Sequence, residues 1–326
     1  MNKLIFLVLI TFTLSLSDKL KEERFKFNMF QHFVEKYNKK YSSVEEYMAR
    51  FRVFKSNLVR IFKTNESFKQ GINEFSDMTP TEFRRKYLNL NINVLNTIKY
   101  NKVKEIVGED PPEAFNWLDK GVLTNVKNQG SCGSCWAFSA VGNIEALYAI
   151  KYGENKRFSE QQLVDCDTLD EGCNGGLMEY TFQWIKENGG LTTEENYKYV
   201  GYDQTCKTGK ESFVWLTGYD KLESTDEEFI KKYLYNVGPL AIAINADPFQ
   251  FYFGGIIDKS ASSCDPEGLN HGVVLVGYGH DDDEDKDYWL IRNSWGANWG
   301  EKGYVRVARG KGVCGVNTYV TSAKLK

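Results

Sequence analysis

The chain has 326 residues, a formal net charge of −3 at pH 7, and 42% hydrophobic residues. This length suggests about two domain-sized units, and the composition fits a packed globular protein rather than a disordered one. The acidic balance argues against nucleic acid as an obligatory partner, because such proteins present a basic face. The seven cysteines are compatible with a metal site or with disulfides, and three disulfides would leave one thiol free.

The first residues have the pattern of a signal peptide. Lys3 precedes an apolar run from Leu4 to Leu16, and Ser15 and Ser17 are small residues placed for cleavage after Ser17. A membrane anchor is the alternative, but a run of 13 residues is too short to span a bilayer. We therefore predict a signal peptide over residues 1–17 and no membrane span in the mature protein. Disulfides would persist in the compartment that such a protein enters.

Residues 18–110 differ from the rest of the chain. They contain no cysteine and carry 19 Lys and Arg against 13 Asp and Glu, whereas residues 111–326 carry 21 against 31. Apolar spacing predicts helices from about Lys21 to Lys39 and from Ser43 onward. The sequence from Asn89 to Asp110 is typical of an extended, cleavable linker. The region is then either an ordinary N-terminal domain or a basic pro-segment that docks on an acidic body and is released by acid.

The second part of the chain changes from predicted helices to predicted strands. Helical spacing of apolar residues follows Cys135, and a helix start is predicted at Ser159. Short apolar strands with Gly-rich turns follow from about Trp215, which is typical of a barrel or sandwich. We predict a helical lobe over about 119–215 and a β lobe over about 216–326, with a site that draws residues from both.

Cys135 is the candidate nucleophile. It stands at a predicted helix start, where unpaired amides and the helix dipole favour the reactive thiolate. A thiolate that attacks a carbonyl carbon needs a base, and His271, at the start of an apolar run, is the only convincing one of three histidines. Asn293 can hold the imidazole, with Trp295 placed to shield that bond from water. The Gln129 side chain and the Cys135 N–H can stabilise an oxyanion.

The spacing of Cys132 and Cys135 also permits a redox pair or half of a zinc site. A zinc site would need a second Cys or His pair at similar spacing, and Cys166 and Cys173 are seven residues apart with no histidine nearby. A redox pair would need a β-α-β context, which the predicted helical lobe lacks. The spacing alone leaves these alternatives open.

Taken together, the motifs resemble the papain-like cysteine proteases, in particular their cathepsin L-like branch. The stretch 129–139 matches the nucleophile signature, and residues 172–178, 270–272 and 293–296 match three further motifs in the expected order. The family's pro-helix pattern is matched by Glu46, Arg50, Phe54, Asn57, Ile61 and Asn65. Its second pro-segment motif is matched by Gly71, Asn73, Phe75 and Asp77. The resemblance covers almost the whole chain after the signal peptide.

The resemblance implies an α+β, papain-like fold of two lobes, with a helical left lobe, a β-barrel right lobe and the active-site cleft between them. It implies a helical, inhibitory pro-segment over 18–110 and a mature peptidase domain over 111–326. The implied function is that of a cysteine endopeptidase, made as a zymogen, that hydrolyses peptide bonds through a thioester on Cys135. Activation would be the removal of the pro-segment at acidic pH.

The resemblance also implies partners and surroundings. These are protein and peptide substrates, the pro-segment as an intramolecular inhibitor, and cystatin-like inhibitors, with no nucleic acid and no metal or other cofactor. We expect a monomer in the secretory pathway, in a lysosome-like or vacuole-like acidic compartment or outside the cell.

Roles are implied residue by residue. Cys135 resembles the nucleophile, His271 the base, Asn293 the orienting residue and Gln129 the oxyanion donor. The implied disulfides are Cys132 with Cys173, Cys166 with Cys206, and Cys264 with Cys314. The implied substrate-binding residues are Gly175 and Gly176, which would pair with an extended peptide, Trp295, and a specificity pocket of Leu177, Met178, Ala243 and Leu269 with Tyr319 at its floor.

Three features refine this expectation. Tyr319 is larger than most residues at the pocket floor, which predicts a short apolar pocket that prefers Leu or Val over Arg in the second position before the cut. No His-rich insertion suggests a carboxydipeptidase-type occluding loop, so an endopeptidase is expected. Asn65 opens a glycosylation sequon. A catalytically silent relative and a peptide ligase remain alternatives, although all four catalytic positions are filled.

Overall fold

The computed structural model describes residues 2–63, 66–92, 99–258, 261 and 264–326. The chain divides into two compact units, one of Met1–Thr64 and Ile72–Thr79 and the other of Asn65–Gly71 and Pro80–Lys326. Asn65 of the predicted sequon lies outside the described residues. No helix in the described part of the chain is long and apolar enough to cross a bilayer.

The first unit is built on two helices, α1 (Asn2–Lys36) and α2 (Val44–Lys63). Helix α1 begins at Asn2, well before the predicted Lys21. The predicted start of the second helix is close, since the Ser43 hydroxyl accepts the Glu46 N–H at 3.2 Å. Five apolar side chains form the core between the helices: Phe30, Phe33, Phe51, Phe54 and Leu58. The Asn57 amide fixes the following segment by donating to the carbonyl oxygens of Ser76 and Met78.

The second unit begins with short elements before the predicted helical lobe. These are β1 (Lys69–Gln70), α3 (Pro80–Tyr87), β2 (Asn101–Val103) and β3 (Phe115–Asn116). Strand β2 lies within the segment from Asn89 to Asp110 that was predicted to be an extended, cleavable linker, and its backbone pairs with a strand of the main sheet. Residues 93–98 of that predicted linker lie outside the described residues.

Three helices follow in the region predicted to be helical. They are α4 (Cys135–Tyr152), α5 (Glu160–Cys166) and α6 (Met178–Glu187). Helix α4 is buried along most of its length and ends where Gly153, at φ 71°, donates its N–H to the Ala149 carbonyl, the conformation that favours glycine at a helix end. Helix α5 begins at the predicted Ser159, whose hydroxyl accepts the Gln162 N–H at 2.9 Å.

Most of the remaining strands join one mixed sheet. They are β4 (Leu216–Leu222), β5 (Leu240–Ile244), β7 (Ile256–Ile257), β8 (His271–Asp281), β9 (Lys286–Arg292), β10 (Tyr304–Ala308) and β11 (Val320–Leu325). Strand β6 (Tyr252–Gly254) pairs instead with β1, and helix α7 (Glu227–Val237) lies between β4 and β5 in the chain. The strand order is β2-β4-β11-β5-β8-β9-β10-β7, with β3 also paired to β8. Helix α7 was not predicted. Its cap Asp226 accepts the Glu228 N–H at 3.0 Å.

Strand register places the polar residues of the site. Antiparallel pairing of β5 with β8 sets Ile244 opposite His271 and Ala243 opposite Gly272. Strand β9 ends at Arg292, so Asn293 follows directly at the same end of the sheet. The start of α4 packs beside this end, because a Cβ on Gly272 would lie 3.1 Å from the Cys135 carbonyl oxygen.

Candidate active site

Cys135 is the first residue of α4 and is fully buried. It is the free thiol among the seven cysteines. The other six form the pairs that the family resemblance implies: Cys132–Cys173, Cys166–Cys206 and Cys264–Cys314. Because Cys132 is bonded to Cys173, it does not act with Cys135 as a redox pair or zinc half-site in this structure. The disulfides indicate residence in the secretory pathway.

His271 and Asn293 form a buried pair. The distance from His271 Nε2 to Asn293 Oδ1 is 2.8 Å, and an amide oxygen can only accept, so Nε2 carries the hydrogen in this bond. His271 Nδ1 is then the basic nitrogen, and it is buried with no hydrogen bond to any residue that the structure describes. The ring of Trp295 lies 4.9 Å from the imidazole ring, centroid to centroid, and is itself buried.

The side-chain amide of Gln129 is held in one orientation. Its Oε1 accepts the Ser294 hydroxyl at 2.7 Å and the Trp295 Nε1–H at 3.2 Å. Its Nε2 is therefore the end that can donate into the cleft, and it bonds to the Cys132 carbonyl at 3.0 Å. Gln129 also donates its backbone N–H to the Ser294 carbonyl at 2.9 Å, which connects the loop before α4 with the segment after β9.

Helix α3 brings the chain to this site. Arg84 on α3 makes two 2.7 Å bonds to the carboxylate of Asp247, and the Phe83 ring packs edge-on against Trp295 at 5.3 Å. At the end of the helix, the Tyr87 carbonyl oxygen lies 3.5 Å from Gln129 Nε2. The amide that could stabilise an oxyanion therefore faces a carbonyl of the preceding segment.

The chain after α3 runs along Gly175 and Gly176. Leu90 pairs in parallel with Gly176, the Gly176 N–H donates to the Asn89 carbonyl at 3.3 Å, and the Asn91 N–H donates to the Gly176 carbonyl at 3.0 Å. A Cβ on Gly175 would lie 2.4 Å from the Asn89 carbonyl oxygen. Glycine at this position is thus required for the close approach of the two backbones.

Asn89 also faces the nucleophile. Its backbone N–H is near enough to the Cys135 thiol to lower the pKa of that thiol, as are those of Gly272 and Trp136. The thiolate can attack only a carbonyl carbon. Because the group next to the sulfur is an N–H of Asn89, the segment occupies the site without presenting a bond that can be cleaved. Gly133 contributes to the fit, since a Cβ there would lie 2.3 Å from the Asn89 side-chain nitrogen. Sequence reasoning missed Gly133 because only the folded neighbour reveals its role.

Burial sets the protonation of both candidate catalytic groups. It raises the pKa of Cys135 to about 11, although backbone N–H groups, with the largest effect from Gly272, act in the opposite direction. It lowers the pKa of His271 to about 4, against smaller opposing effects of Asn293 and the Tyr87 backbone. Near neutral pH the covered site therefore holds a neutral thiol and a neutral imidazole.

The predicted specificity-pocket residues lie together. Leu177, Met178, Ala243 and Tyr319 are buried in one apolar cluster, and the partly buried Leu269 packs against it. Leu90 belongs to the same cluster, so an apolar side chain of the segment after α3 packs into it.

A carboxylate that the sequence reasoning missed lies behind this cluster. Glu179, directly after Met178, bonds to Lys221 at 2.8 Å and accepts the Tyr219 hydroxyl at 3.2 Å. Burial and the nearby Glu179 raise the pKa of the Tyr319 hydroxyl. The Lys221 ammonium lies 4.6 Å from the centre of the Tyr319 ring. The signal available in the sequence was the charged Glu179 in the first turn of a helix whose neighbouring residues are apolar.

A buried ionic cluster lies within the helical part of the domain, behind the site. Lys127 Nζ lies 2.6 Å from carboxylate oxygens of both Glu145 and Glu160. A cavity of about 20 Å³ borders this cluster and is also lined by Asn293 and Ser294. Burial raises the pKa of Glu160 to about 7. Nothing in the local sequence pattern predicts this cluster, because its members come from three separate segments.

Comparison with known proteins gives consistent matches over both parts of the chain. Residues 111–324 match the papain family cysteine proteases, and residues 30–83 match the cathepsin propeptide inhibitor domain. The chain is 42% identical to cathepsin F of Drosophila melanogaster over 308 residues, which cover 91% of this chain and 50% of that protein. It is 41% identical to cysteine proteinase 15A of Pisum sativum over 310 residues, which cover 90% of this chain and 85% of that protein.

Solved precursor structures have the same fold. Digestive procathepsin L2 from Tenebrio molitor larval midgut superposes with a TM-score of 0.85 at 33% identity, over 92% of this chain and 99% of that chain. The recombinant stem bromelain precursor gives a TM-score of 0.82 at 33% identity, with the same coverage. These matches confirm the predicted α+β fold with a helical pro-region.

Proposed function

We propose, from the premise that the chain belongs to the papain family of cysteine proteases, that it is an endopeptidase made as a zymogen, with Cys135 as its nucleophile. The observation that carries the proposal is the arrangement at the start of α4. There the free thiol lies beside Gly272, which directly follows His271, and the His271 imidazole is held by Asn293 at 2.8 Å.

In the proposed reaction, His271 takes the thiol proton and Cys135 attacks the carbonyl carbon of the peptide bond. The carbonyl oxygen becomes an oxyanion that accepts hydrogen bonds from Gln129 Nε2 and the Cys135 N–H. The imidazolium gives its proton to the leaving amine, so the C–N bond breaks and a thioester remains on Cys135. Water then attacks the thioester with His271 as base, which releases the acid and restores the thiol.

The same geometry supports an inhibitory role for the segment around Asn89. Its N–H lies at the thiol and the Tyr87 carbonyl lies near Gln129 Nε2, so a substrate carbonyl has no access. We propose a signal peptide over 1–17, a pro-segment over 18–110 and a mature enzyme that begins near Pro111. Substrates would be proteins and peptides, and cystatin-like proteins would be inhibitors of the monomeric mature enzyme.

Acid would favour removal of this cover. In the covered site the pKa of His271 is about 4, below the ordinary histidine value near 6.5. An open site that exposes the imidazole binds a proton more readily, so falling pH shifts the equilibrium toward opening. This supports activation in an acidic compartment of the secretory pathway or after secretion into an acidic medium.

Acid activation of the purified precursor tests the proposal. We expect loss of residues up to about Pro111 by mass spectrometry, together with cleavage of internally quenched peptides whose bonds lie away from both ends. Cys135→Ala should abolish both the processing and the peptide cleavage, whereas Cys135→Ser should keep the fold and lose nearly all activity.

Three results would contradict the proposal. Activity that survives Cys135→Ala would exclude this nucleophile. A processed, folded protein without peptide cleavage would favour a silent relative. Joined peptides as the main products, in place of hydrolysed ones, would favour a ligase.

A further inference from the structure

Strand β2 is the last strand at one end of the main sheet and covers the outer edge of β4. Its pairing with β4 is parallel, with Asn101 opposite Asp220, Lys102 opposite Lys221 and Val103 opposite Leu222. The other edge of β4 is paired with β11. Under the proposed function, maturation removes β2, so the mature enzyme presents the β4 edge with free backbone donors and acceptors. Natural proteins seldom leave such an edge without protection or a use.

Side chains make this edge more specific than backbone pairing alone. Lys102 Nζ lies 2.5 Å from Glu223 Oε1, and Asn101 Nδ2 donates to Asp220 Oδ1 at 2.5 Å. The ring of Tyr100 stacks on that of Tyr219, with centroids 6.0 Å apart and planes at 27°. The edge thus combines an aromatic platform with two carboxylates, which suits an extended segment that carries an aromatic residue and a lysine.

The edge is continuous with the candidate cleft. Tyr219 on β4 donates its hydroxyl to Glu179 at 3.2 Å, and Glu179 directly follows the pocket residue Met178. The covering chain itself reaches both places, since Leu90 pairs with Gly176 and Asn101, 11 residues later, pairs with Asp220. A substrate chain can bridge the same gap with about ten residues, because an extended chain advances roughly 3.3 Å per residue.

We propose that the β4 edge is a second peptide-binding site of the mature enzyme. Its ligand is an extended segment of a protein substrate that adds as a strand to β4, places an aromatic ring on Tyr219 and a lysine at Glu223, and lies about ten residues from the bond in the cleft. This proposal rests on the proposed function, because only removal of the pro-segment uncovers the edge. Strand addition to an exposed edge is an established mode of peptide recognition.

The test compares substrates with and without this segment. Mature enzyme is given a short fluorogenic peptide that fills the cleft. It is also given longer peptides that carry Tyr-Asn-Lys-Val about ten residues before or after the scissile bond, in forward or reversed order. A matched long peptide replaces Tyr and Lys by Ala and Gln. We expect one order of the segment to lower KM about three- to fivefold relative to the matched peptide, the range of one exposed charge pair with added ring contact.

A charge-reversal variant locates the effect. Glu223→Lys should remove the KM advantage and leave kcat/KM for the short peptide unchanged. Glu195→Lys makes the same charge change at another exposed position and should keep the advantage. An equal effect of Glu223→Lys on short and long peptides, or equal KM for all long peptides, overturns the second site. Failure of the proposed function is separate, because the short peptide would then not be cleaved at all.

A binding measurement does not depend on activity. The hexapeptide of residues 99–104, labelled with a fluorophore, should bind mature enzyme whose Cys135 has been alkylated with a bulky reagent. Salt should weaken this binding, because the ion pair between Lys102 of the peptide and Glu223 is exposed. Loss of binding on alkylation would place the peptide in the cleft and overturn the β4 site.

Discussion

Asn293 Oδ1 accepts a hydrogen bond from His271 Nε2 at 2.8 Å, in a pair that is buried beneath Trp295. The bond fixes the tautomer that leaves Nδ1 basic, and it limits rotation of the ring. Both partners lie at one end of the sheet, His271 as the first residue of β8 and Asn293 directly after β9.

Loss of this bond should lower turnover more than binding. Asn293→Ala removes the acceptor, so the imidazole is no longer held in one tautomer and orientation. We expect kcat of the mature enzyme to fall about 10²-fold, the lower end of what a positioned acid–base group contributes, with KM changed little. Asn155→Ala is a matched control, because that exposed residue donates to the Gly121 carbonyl. A large rise in KM at unchanged kcat would contradict a positioning role.

The orientation of the Gln129 amide gives a second, graded prediction. Gln129→Ala removes the Nε2 donor and should lower kcat about 10²- to 10³-fold, as for other oxyanion donors. Ser294→Ala removes the 2.7 Å bond to Gln129 Oε1 and should lower kcat only about five- to tenfold, the effect of one lost hydrogen bond. Steady-state kinetics on one peptide check both variants. If Ser294→Ala were as harmful as Gln129→Ala, Ser294 would have a more direct role.

Local patterns predicted the elements that begin with a cap or a periodic apolar run. Ser159 before α5 and the start of α4 at Cys135 are such cases, since both depend on neighbours in sequence. Strand β2 and the N–H of Asn89 at Cys135 were not predicted, because they arise from pairing between segments far apart in the chain. Glu179 escaped for the same reason, since its partners Lys221 and Tyr219 come from β4.

The equilibrium between the covered and the open precursor should shift toward the open form below the ordinary pKa of histidine. Burial holds the pKa of His271 near 4 in the covered site, so between about pH 6.5 and 4 an open site binds a proton that the covered site does not. The opening equilibrium should therefore gain up to about tenfold for each pH unit in that range. The measurement is cleavage of Cys135→Ala precursor by added mature enzyme, normalised at each pH to cleavage of a short peptide.

A second substitution isolates the histidine. In Cys135→Ala precursor, His271→Gln removes the titrating group and should flatten the pH dependence. His280→Gln serves as the control, because His280 is an exposed histidine beside Asp287. If both variants kept the full pH dependence, other groups would control the opening.

The mature domain should be more stable at mildly acidic pH than at neutral pH. Burial raises the pKa of Glu160 to about 7 and that of Asp167 to about 7, and it also raises the pKa of Asp170. A raised carboxyl pKa means that the folded state binds the proton more tightly than the unfolded state. Stability therefore rises as pH falls from about 7 toward the unfolded values near 4.

Thermal unfolding of the alkylated mature enzyme, which cannot digest itself, checks this direction. We expect Tm to rise by roughly 5 °C from pH 7.5 to pH 5. Glu160→Gln should reduce the rise, because the amide does not titrate, while Glu195→Gln, at an exposed position, should not. A Tm that falls steadily over this range would show that groups with lowered pKa dominate.

The size of Tyr319 should decide which side chain the pocket accepts. Its ring is buried with Leu177, Met178 and Ala243, so the parent enzyme should cleave peptides with Leu or Val in the second position before the cut. Tyr319→Ala should lengthen the pocket and bring Glu179 within reach of a long cation, because the Tyr319 ring no longer separates the carboxylate from the substrate. The ratio of kcat/KM for peptides with Arg to that for peptides with Leu in the second position before the cut should then rise at least about tenfold, as for other buried charge pairs. Tyr319→Phe is the control, because it keeps the volume of the side chain and should keep the parent preference.

Profiles from a peptide library measure the preference of each variant. An enlarged pocket that still rejects Arg would mean that Lys221 continues to neutralise Glu179.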